Sequence, residues 1–117
     1  MKVLPEIEHY KFGSIHIDGK EYTRDVIVLP DRVVPNWRRN DGHNLVLADL
    51  EAVLDELPVR LIIGQGHEGR MRVPESTTSM LESRGFELWT GSTPEAIAQF
   101  NVEQQGVEAA LLLHLTC

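Results

Sequence analysis

The chain has 117 residues, of which 42% are hydrophobic and 25% charged, the composition of an ordinary globular protein. We therefore expect a single domain over residues 1–117. Eighteen acidic against eleven basic side chains give a formal net charge of -7, which opposes contact with nucleic acid or an anionic lipid surface. With one cysteine, Cys117, and no apolar run long enough to cross a bilayer, the sequence predicts a cytoplasmic protein with no nucleic-acid partner and no membrane insertion.

The first third of the chain carries the apolar and polar alternation of antiparallel strands. The alternation is interrupted by Asp18-Gly19, a dipeptide that favours a two-residue type I′ hairpin turn. Residues 26–29 are apolar on both faces, so this strand should be covered on both sides until Pro30 ends it. We expect an N-terminal antiparallel hairpin beside a buried strand.

Residues 31–44 follow with no helical or strand periodicity, and an irregular segment of this length in a compact domain is often functional. The segment contains Trp37, Arg38 and Arg39, and Trp and Arg are the residue types that dominate interface hot spots. If Trp37 is exposed, these three residues form a partner-binding site for another protein. If Trp37 is buried, the segment is a loop pinned by one core side chain. The sequence leaves the oligomeric state open.

The rest of the chain alternates between helix and strand. Leucines at positions 47, 50, 54 and 57 form the apolar stripe of a helix that Pro58 stops. After it we predict a strand over 61–63, a helix from Pro74 to Gly85, a strand over 86–90, a helix capped by Thr93 and ended by Gly106, and a strand over 107–115.

This order of elements predicts an α/β fold: a compact three-layer domain with a mixed sheet, in which C-terminal βαβαβ strands run parallel and an N-terminal antiparallel hairpin adds strands beside or beneath them. Because the crossover elements are short, the strands that they join should lie close together. The residues that we expect to be buried in neighbouring parallel strands are Leu61, Ile62, Ile63, Leu111 and Leu113.

The loop after the strand at 61–63 is the best candidate for a ligand site, because α/β sheets bind ligands beyond the carboxyl ends of their parallel strands. Two glycines there let backbone N–H groups approach an anion, and two arginines can clamp a carboxylate or phosphate. The same features also fit a purely structural strand exit, in which the arginines pair with Glu68 or Glu75. The predicted ligand contacts are Gly64, Gln65, Gly66, His67, Arg70, Arg72 and His114.

His114 and Cys117 are spaced like half of a metal site, but zinc needs further ligands and no paired His or Cys motif supplies them. We therefore expect no metal, no cofactor, and a protein that folds in excess chelator. Cys117 with His67 or His114 as base has the residue types for nucleophilic catalysis, although the last residue of a chain is a poor place to hold a nucleophile. We expect no catalytic residue, which favours a non-enzymatic protein.

A set of residues spread along the chain forms a recognisable pattern: Asp18-Gly19, Pro30, Trp37, Gly64-x-Gly66, Val73-Pro74, Gly85, Thr93 with Ala96 and Asn101, Gly106, Ala109-Ala110, and His114-x-Thr116. In this pattern residues 7–117 resemble the family of small α/β domains that includes a mitochondrial complex I assembly factor, an adipogenesis-associated domain protein and many bacterial and archaeal proteins of unknown function. The resemblance implies a compact three-layer α/β fold and carries over no catalytic residue. Gln65 departs from it, since relatives often have Thr or another small residue between the two glycines.

Two functions from different classes fit the sequence. The leading hypothesis is a non-enzymatic binding or assembly-factor-like module, supported by the resemblance and by the lack of a complete catalytic constellation. The alternative is a binding protein or enzyme for a small anionic ligand, with a pocket at the C-terminal ends of the parallel strands. A concave pocket lined by the two arginines, His67 and His114 favours the ligand site, whereas a flat surface with an exposed Trp37 favours the partner site.

Overall fold

A computed structural model describes residues 5–104 and 106–117 of the chain. The elements in chain order are β1 (Ile7–Lys11), β2 (Ser14–Ile17), β3 (Lys20–Tyr22), β4 (Val26–Val28), β5 (Val33–Val34), the 3₁₀ segments Leu47–Leu50 and Leu54–Glu56, β6 (Arg60–Gly64), α1 (Glu75–Ser83), β7 (Glu87–Gly91), α2 (Thr93–Glu103) and β8 (Ala109–Leu113). The strands form a three-stranded sheet in the order β1-β2-β3 and a five-stranded sheet in the order β5-β4-β8-β6-β7.

The smaller sheet is the predicted N-terminal hairpin, extended by one strand. Asp18 and Gly19 join β2 to β3 with φ angles of 51° and 81°, the two positive values that a type I′ turn requires. Gly13, with a φ of 79°, makes a second tight turn, between β1 and β2, that the sequence pattern did not predict. The predicted hairpin is therefore confirmed, as part of an antiparallel three-stranded sheet.

The larger sheet is mixed, as expected. β6 lies between β7 and β8 and runs parallel to both, with Ile62 opposite Leu111 in the pairing with β8. β8 also pairs antiparallel with β4, where Val26 lies opposite Leu113. The predicted βαβαβ unit is confirmed, and its five core positions Leu61, Ile62, Ile63, Leu111 and Leu113 are all completely buried.

Side chains that alternate along the strands bury two separate cores, one on each face of the larger sheet. Ile62 and Leu111 pack with Phe100 of α2 and with Ile15 of the smaller sheet. On the opposite face, apolar side chains of the central strands pack with Leu81 of α1, the first 3₁₀ segment and Trp37, in a group that contains Leu61, Ile63, Leu112, Leu50 and Met71. The result is the predicted three-layer α/β fold.

The predicted helix over 47–57 is wrong: the segment forms two 3₁₀ turns separated by residues 51–53. Leu50 and Val53 are the buried residues there, and their spacing of three matches the three residues per turn of a 3₁₀ helix. The Asp49 carboxylate accepts hydrogen bonds from the backbone N–H groups of Val46 and Asn40, which ties the first turn to the preceding loop.

The ends of the later elements also differ from the prediction. Gly85 follows α1 at a φ of 93°, as expected, whereas α2 already ends at Glu103, three residues before Gly106. Ser92 caps α2 by accepting a hydrogen bond from the Glu95 N–H, so Thr93 is the first helical residue and not its cap. In the part of the chain that the structure describes, no helix is long and apolar enough to cross a membrane.

Candidate functional site

The carboxyl ends of β6 and β8 continue into two segments that pair with each other beyond the sheet. His114 donates its backbone N–H to the Gly64 carbonyl at 3.0 Å, which starts this pairing. The His67 N–H then donates to the Thr116 carbonyl at 2.6 Å, and the Arg70 N–H donates to the Cys117 carbonyl at 2.9 Å. These bonds hold residues 114–117 against the glycine loop, residues 64–72.

The two glycines of this loop are required by close packing. A Cβ on Gly66 would lie 2.5 Å from the Cys117 carbonyl carbon and 2.9 Å from His114 Cδ2, and the φ of Gly66 is +105°. A Cβ on Gly64 would lie 2.7 Å from Leu113 Cδ2. The Gly66 N–H donates to Thr93 Oγ1 and the Gln65 N–H donates to the Gly91 carbonyl. These two amides are thus used inside the protein and do not face an anion.

A buried ionic cluster lies beside the end of β8. Asp25 Oδ2 is 2.8 Å from His114 Nδ1 and 2.7 Å from Arg39 Nη2, and Asp25 Oδ1 accepts the Leu115 N–H at 2.7 Å. The Arg39 side chain is only 3% exposed, its Nη1 has no hydrogen-bond partner among the described residues, and its guanidinium stacks on the Trp37 ring at 4.7 Å. This cluster connects the irregular segment 31–44 to the C-terminal segment.

Burial alone would raise the pKa of Asp25, because desolvation disfavours the charged carboxylate. The hydrogen bonds from His114, the Leu115 backbone and Arg39 lower it, and the net effect is a pKa below the ordinary value. Asp25 therefore stays ionised and can hold His114 and Arg39 in place.

Trp37 is buried, with 8% of its surface exposed, and its Nε1–H donates to the Asp49 carbonyl at 3.0 Å. Of the three residues predicted to bind a partner, Trp37 and Arg39 thus have their side chains inside the domain and Arg38 is exposed. The condition for a docking site centred on Trp37, its exposure, is not met.

An open cleft of about 590 Å³ lies between residues 41–44 and residues 69–72. Its walls are held together by the Arg72 N–H, which donates to the His43 carbonyl at 2.7 Å, and by the Leu45 N–H, which donates to the Arg72 carbonyl at 2.8 Å. The cleft is lined by Asp41, His43, Asn44, Gly69, Arg70 and Arg72.

The predicted ligand residues are only partly brought together. Arg70 and Arg72 line the 590 Å³ cleft, whereas His114 lines a separate cavity of about 380 Å³ together with Asp25, Trp37 and Arg39. The His67 ring packs on Tyr10 and Phe12, and the side-chain amide of Gln65 donates to the Met71 carbonyl. Gly64 and Gly66 serve the packing described above.

Three side chains with metal-binding atoms converge next to the cleft. Possible ligand atoms of His43, His114 and Cys117 all lie within 4.8 Å of one another, and His43 Nε2 is 3.7 Å from Cys117 Sγ. His114 and Cys117 are the pair that the sequence spacing indicated, and His43 joins them from the irregular segment 31–44, where no spacing motif pointed to it. Potential metal ligands thus lie together at a place where the sequence spacing predicted no metal site.

Asp25 is the main residue that sequence reasoning missed. The available signal was a carboxylate directly before the apolar strand β4, where a charged residue requires a partner. Only the antiparallel pairing of β4 with β8 identifies that partner. Because Val26 lies opposite Leu113, the preceding residue Asp25 lies beside His114, the residue after Leu113. Asp41 and Asn44 in the cleft wall gave no periodic signal at all.

Comparison with known proteins gives the same fold and no assigned activity. The profile of a family described as "protein of unknown function (DUF498/DUF598)" matches residues 7–114. A conserved hypothetical protein from Pyrococcus horikoshii is similar with a TM-score of 0.81 and 25% identity, over 96% of this chain and 99% of that chain. A protein from Bartonella henselae that is named an outer membrane protein gives a TM-score of 0.79 and 25% identity, over 99% and 98%. A Xanthomonas campestris protein gives a TM-score of 0.80 at 20% identity over 97% and 86%, a likeness of fold alone.

Proposed function

This chain belongs to the DUF498/DUF598 family of proteins of unknown function, and we propose that it is a binding protein for a small anionic ligand, held in the cleft between residues 41–44 and 69–72. The observation that carries the proposal is a pair of arginines, Arg70 and Arg72, on one wall of that cleft in a protein whose formal net charge is -7. The cleft lies beyond the carboxyl ends of parallel strands, where α/β sheets bind ligands.

The charges of these arginines are weakly compensated. Arg70 is 3.9 Å from Glu68, and both side chains are more than half exposed, so their attraction is worth about 0–1 kcal/mol at most. Among the described residues, no carboxylate lies within 4.0 Å of the Arg72 guanidinium, and Glu75 pairs with neither arginine. The Asp41 carboxylate accepts hydrogen bonds from the His43 N–H and the Asn44 amide of its own loop. The two guanidinium groups are therefore available to an anion.

The size and lining of the cleft favour binding over catalysis. Its volume of about 590 Å³ falls within the range of small-molecule pockets and exceeds what inorganic phosphate fills. Apart from the Asp41 carboxylate and Gly69, the lining consists of guanidinium, imidazole and amide groups, which donate to carboxylate or phosphate oxygens, and it contains no hydroxyl or thiol nucleophile. An organic phosphate or a di- or tricarboxylate matches this chemistry.

The test is a titration of ¹⁵N-labelled protein with phosphate, sulfate, citrate and mononucleotides, followed through backbone amide shifts. Saturable shifts should be confined to residues 41–45 and 64–75. The double variant Arg70→Ala, Arg72→Ala should lose them, because both cationic groups of the cleft are gone. The control Arg24→Ala, Arg84→Ala removes the same charge at exposed positions outside the cleft and should bind normally. No shift at millimolar ligand, or equal loss in the control, would reject the proposal.

A protein partner is the second proposal, and it rests on the resemblance to the complex I assembly factor. Arg38 is exposed between two anchored side chains, so the loop can present it in a fixed position. A protein that co-purifies with the wild type and is lost with Arg38→Ala would support this role. We also propose a cytoplasmic location, which is supported by the single cysteine.

A further inference from the structure

We infer that His43, His114 and Cys117 form a binding site for a single zinc ion at the end of β8. The inference goes beyond the anion-binding proposal and does not depend on it, because its ligands are different side chains from the arginines. All three ligand residues come from segments that the fold fixes, one from the irregular loop and two from the C-terminal segment.

The distances agree with tetrahedral coordination after a small closure. With Zn–S near 2.3 Å and Zn–N near 2.05 Å, a tetrahedral site places the sulfur and nitrogen ligands about 3.6 Å apart. The observed separation of His43 Nε2 and Cys117 Sγ is 3.7 Å, and every pair of ligand atoms is within 4.8 Å. Two imidazoles and a thiolate form a donor set that suits zinc and is poorly suited to magnesium or calcium.

Asp25 orients His114 as the outer carboxylate does in many zinc sites. The carboxylate lies 2.8 Å from Nδ1 of the ring, on the side where Arg39 Nη2 is 3.0 Å away, and it favours the tautomer with the proton on Nδ1. That tautomer leaves Nε2, whose neighbour is Thr116 Oγ1 at 3.5 Å, as the coordinating nitrogen. The same carboxylate binds the Leu115 N–H and Arg39, so the orienting group is itself held from three directions. Such a carboxylate–histidine arrangement raises the basicity of the coordinating nitrogen.

Cys117 is held in position through its backbone. The Cys117 carbonyl accepts the Arg70 N–H, and the preceding carbonyl of Thr116 accepts the His67 N–H. Gly66 packs directly against Cys117 and His114, at a position where any Cβ would displace them. This removes the objection that a terminal cysteine is poorly placed, because the segment that carries it is bonded to the glycine loop.

Three protein ligands leave a fourth coordination position for water or a ligand. His43 also lines the 590 Å³ cleft, so the proposed metal site adjoins the cleft wall. None of the three ligand residues belongs to either hydrophobic core, although the His114 ring is buried. The protein without metal should therefore remain folded.

The test uses Co²⁺ and Zn²⁺ with the tag-free full chain in a non-chelating buffer that contains a phosphine reductant. Co²⁺ should bind one per chain with the intense near-ultraviolet thiolate charge-transfer absorption that a site made only of imidazoles lacks. Zn²⁺ should displace it, and the circular dichroism of the chelator-treated protein should match that of the loaded protein.

The variants separate this site from others. Cys117→Ser should abolish the charge-transfer band and weaken Zn²⁺ binding at least about 100-fold, and His43→Ala should weaken it similarly. Asp25→Asn should weaken binding about 10- to 100-fold and retain the band, as expected for loss of an orienting carboxylate. His9→Ala is the matched control, because it removes an exposed imidazole on β1 whose neighbour is His16 on β2. This variant should bind the metal as the wild type does.

Three results with the metals and the ligand variants would overturn the inference. They are the absence of Co²⁺ binding at millimolar metal, Co²⁺ binding without the charge-transfer band, and Zn²⁺ affinity that is unchanged in Cys117→Ser or His43→Ala. Loss of binding in His9→Ala would place the metal on the His9–His16 pair and would also reject the site proposed here.

Discussion

Replacing Gly66 by Ala tests whether the C-terminal segment is docked on the glycine loop as described. The new methyl group would lie 2.5 Å from the Cys117 carbonyl carbon and oxygen and 2.9 Å from His114 Cδ2. Those atoms cannot withdraw freely, because the Cys117 carbonyl is bonded to the Arg70 N–H and His114 is bonded to Asp25. Either the backbone of residues 114–117 shifts and loses these hydrogen bonds, or the contact stays strained.

Two effects add to the free-energy cost of Gly66→Ala. A non-glycine residue at a φ of +105° is strained by about 1–3 kcal/mol. Inserting a methyl group into a closely packed site costs about another 1–3 kcal/mol. The free energy of unfolding should therefore fall by about 2–6 kcal/mol, a large part of the total stability of a domain of this size.

Gly69 provides the matched control within the same loop. Its φ is also positive, at +73°, but a Cβ there meets nothing within 4 Å, so Gly69→Ala should show only the strain of about 1–3 kcal/mol. Gly42 has neither a positive φ nor a close neighbour, and Gly42→Ala should be nearly neutral, within about 0.5 kcal/mol. Urea unfolding of the three variants under identical conditions measures the differences. If Gly66→Ala is as stable as Gly69→Ala, the packing of residues 114–117 on the loop is not as described.

Two further predictions concern the core and the buried ionic cluster. Leu111→Ala, in the fully buried strand between β4 and β6, should lower the free energy of unfolding by about 2–5 kcal/mol. The control Val107→Ala, at a half-exposed position before that strand, should change it by less than about 0.5 kcal/mol. Equal effects of the two substitutions on urea unfolding would show that β8 is not central. Because the folded-state pKa of Asp25 is lowered, its contribution to stability is complete above the unfolded-state pKa of about 3.9 and is lost as the pH falls through the lower folded-state value. Asp25→Asn should therefore destabilise the protein at neutral pH and make its stability fall less steeply in acid than that of the exposed control Asp55→Asn, and parallel pH profiles from urea unfolding would contradict this.

The sequence by itself determined the features that depend on local pattern and turn chemistry. The Asp18-Gly19 turn follows from the positive φ that its residues tolerate, and the apolar runs of β6 and β8 follow from burial on both faces. The alternation of strand and helix after residue 60 then selects parallel strands with short crossovers, because no other connection of that length is common. The same reasoning failed over residues 47–57, since a stripe of leucines does not distinguish an α-helix from 3₁₀ turns whose repeat is close to three.

The sequence indicated Arg70, Arg72 and His114, but the residues that they meet were determined only by tertiary structure. Asp25 and His114 are 89 residues apart in the sequence, and they meet because β4 runs antiparallel to β8, a pairing that no local periodicity specifies. Likewise His43 lies in a segment without period, and it reaches Cys117 because Arg72 pairs its backbone with that segment. Burial of Trp37 had the same origin, since its indole N–H finds its acceptor on the first 3₁₀ turn. Local sequence patterns record which face of an element is apolar, whereas convergence of polar side chains depends on long-range pairing between segments that carry no such pattern.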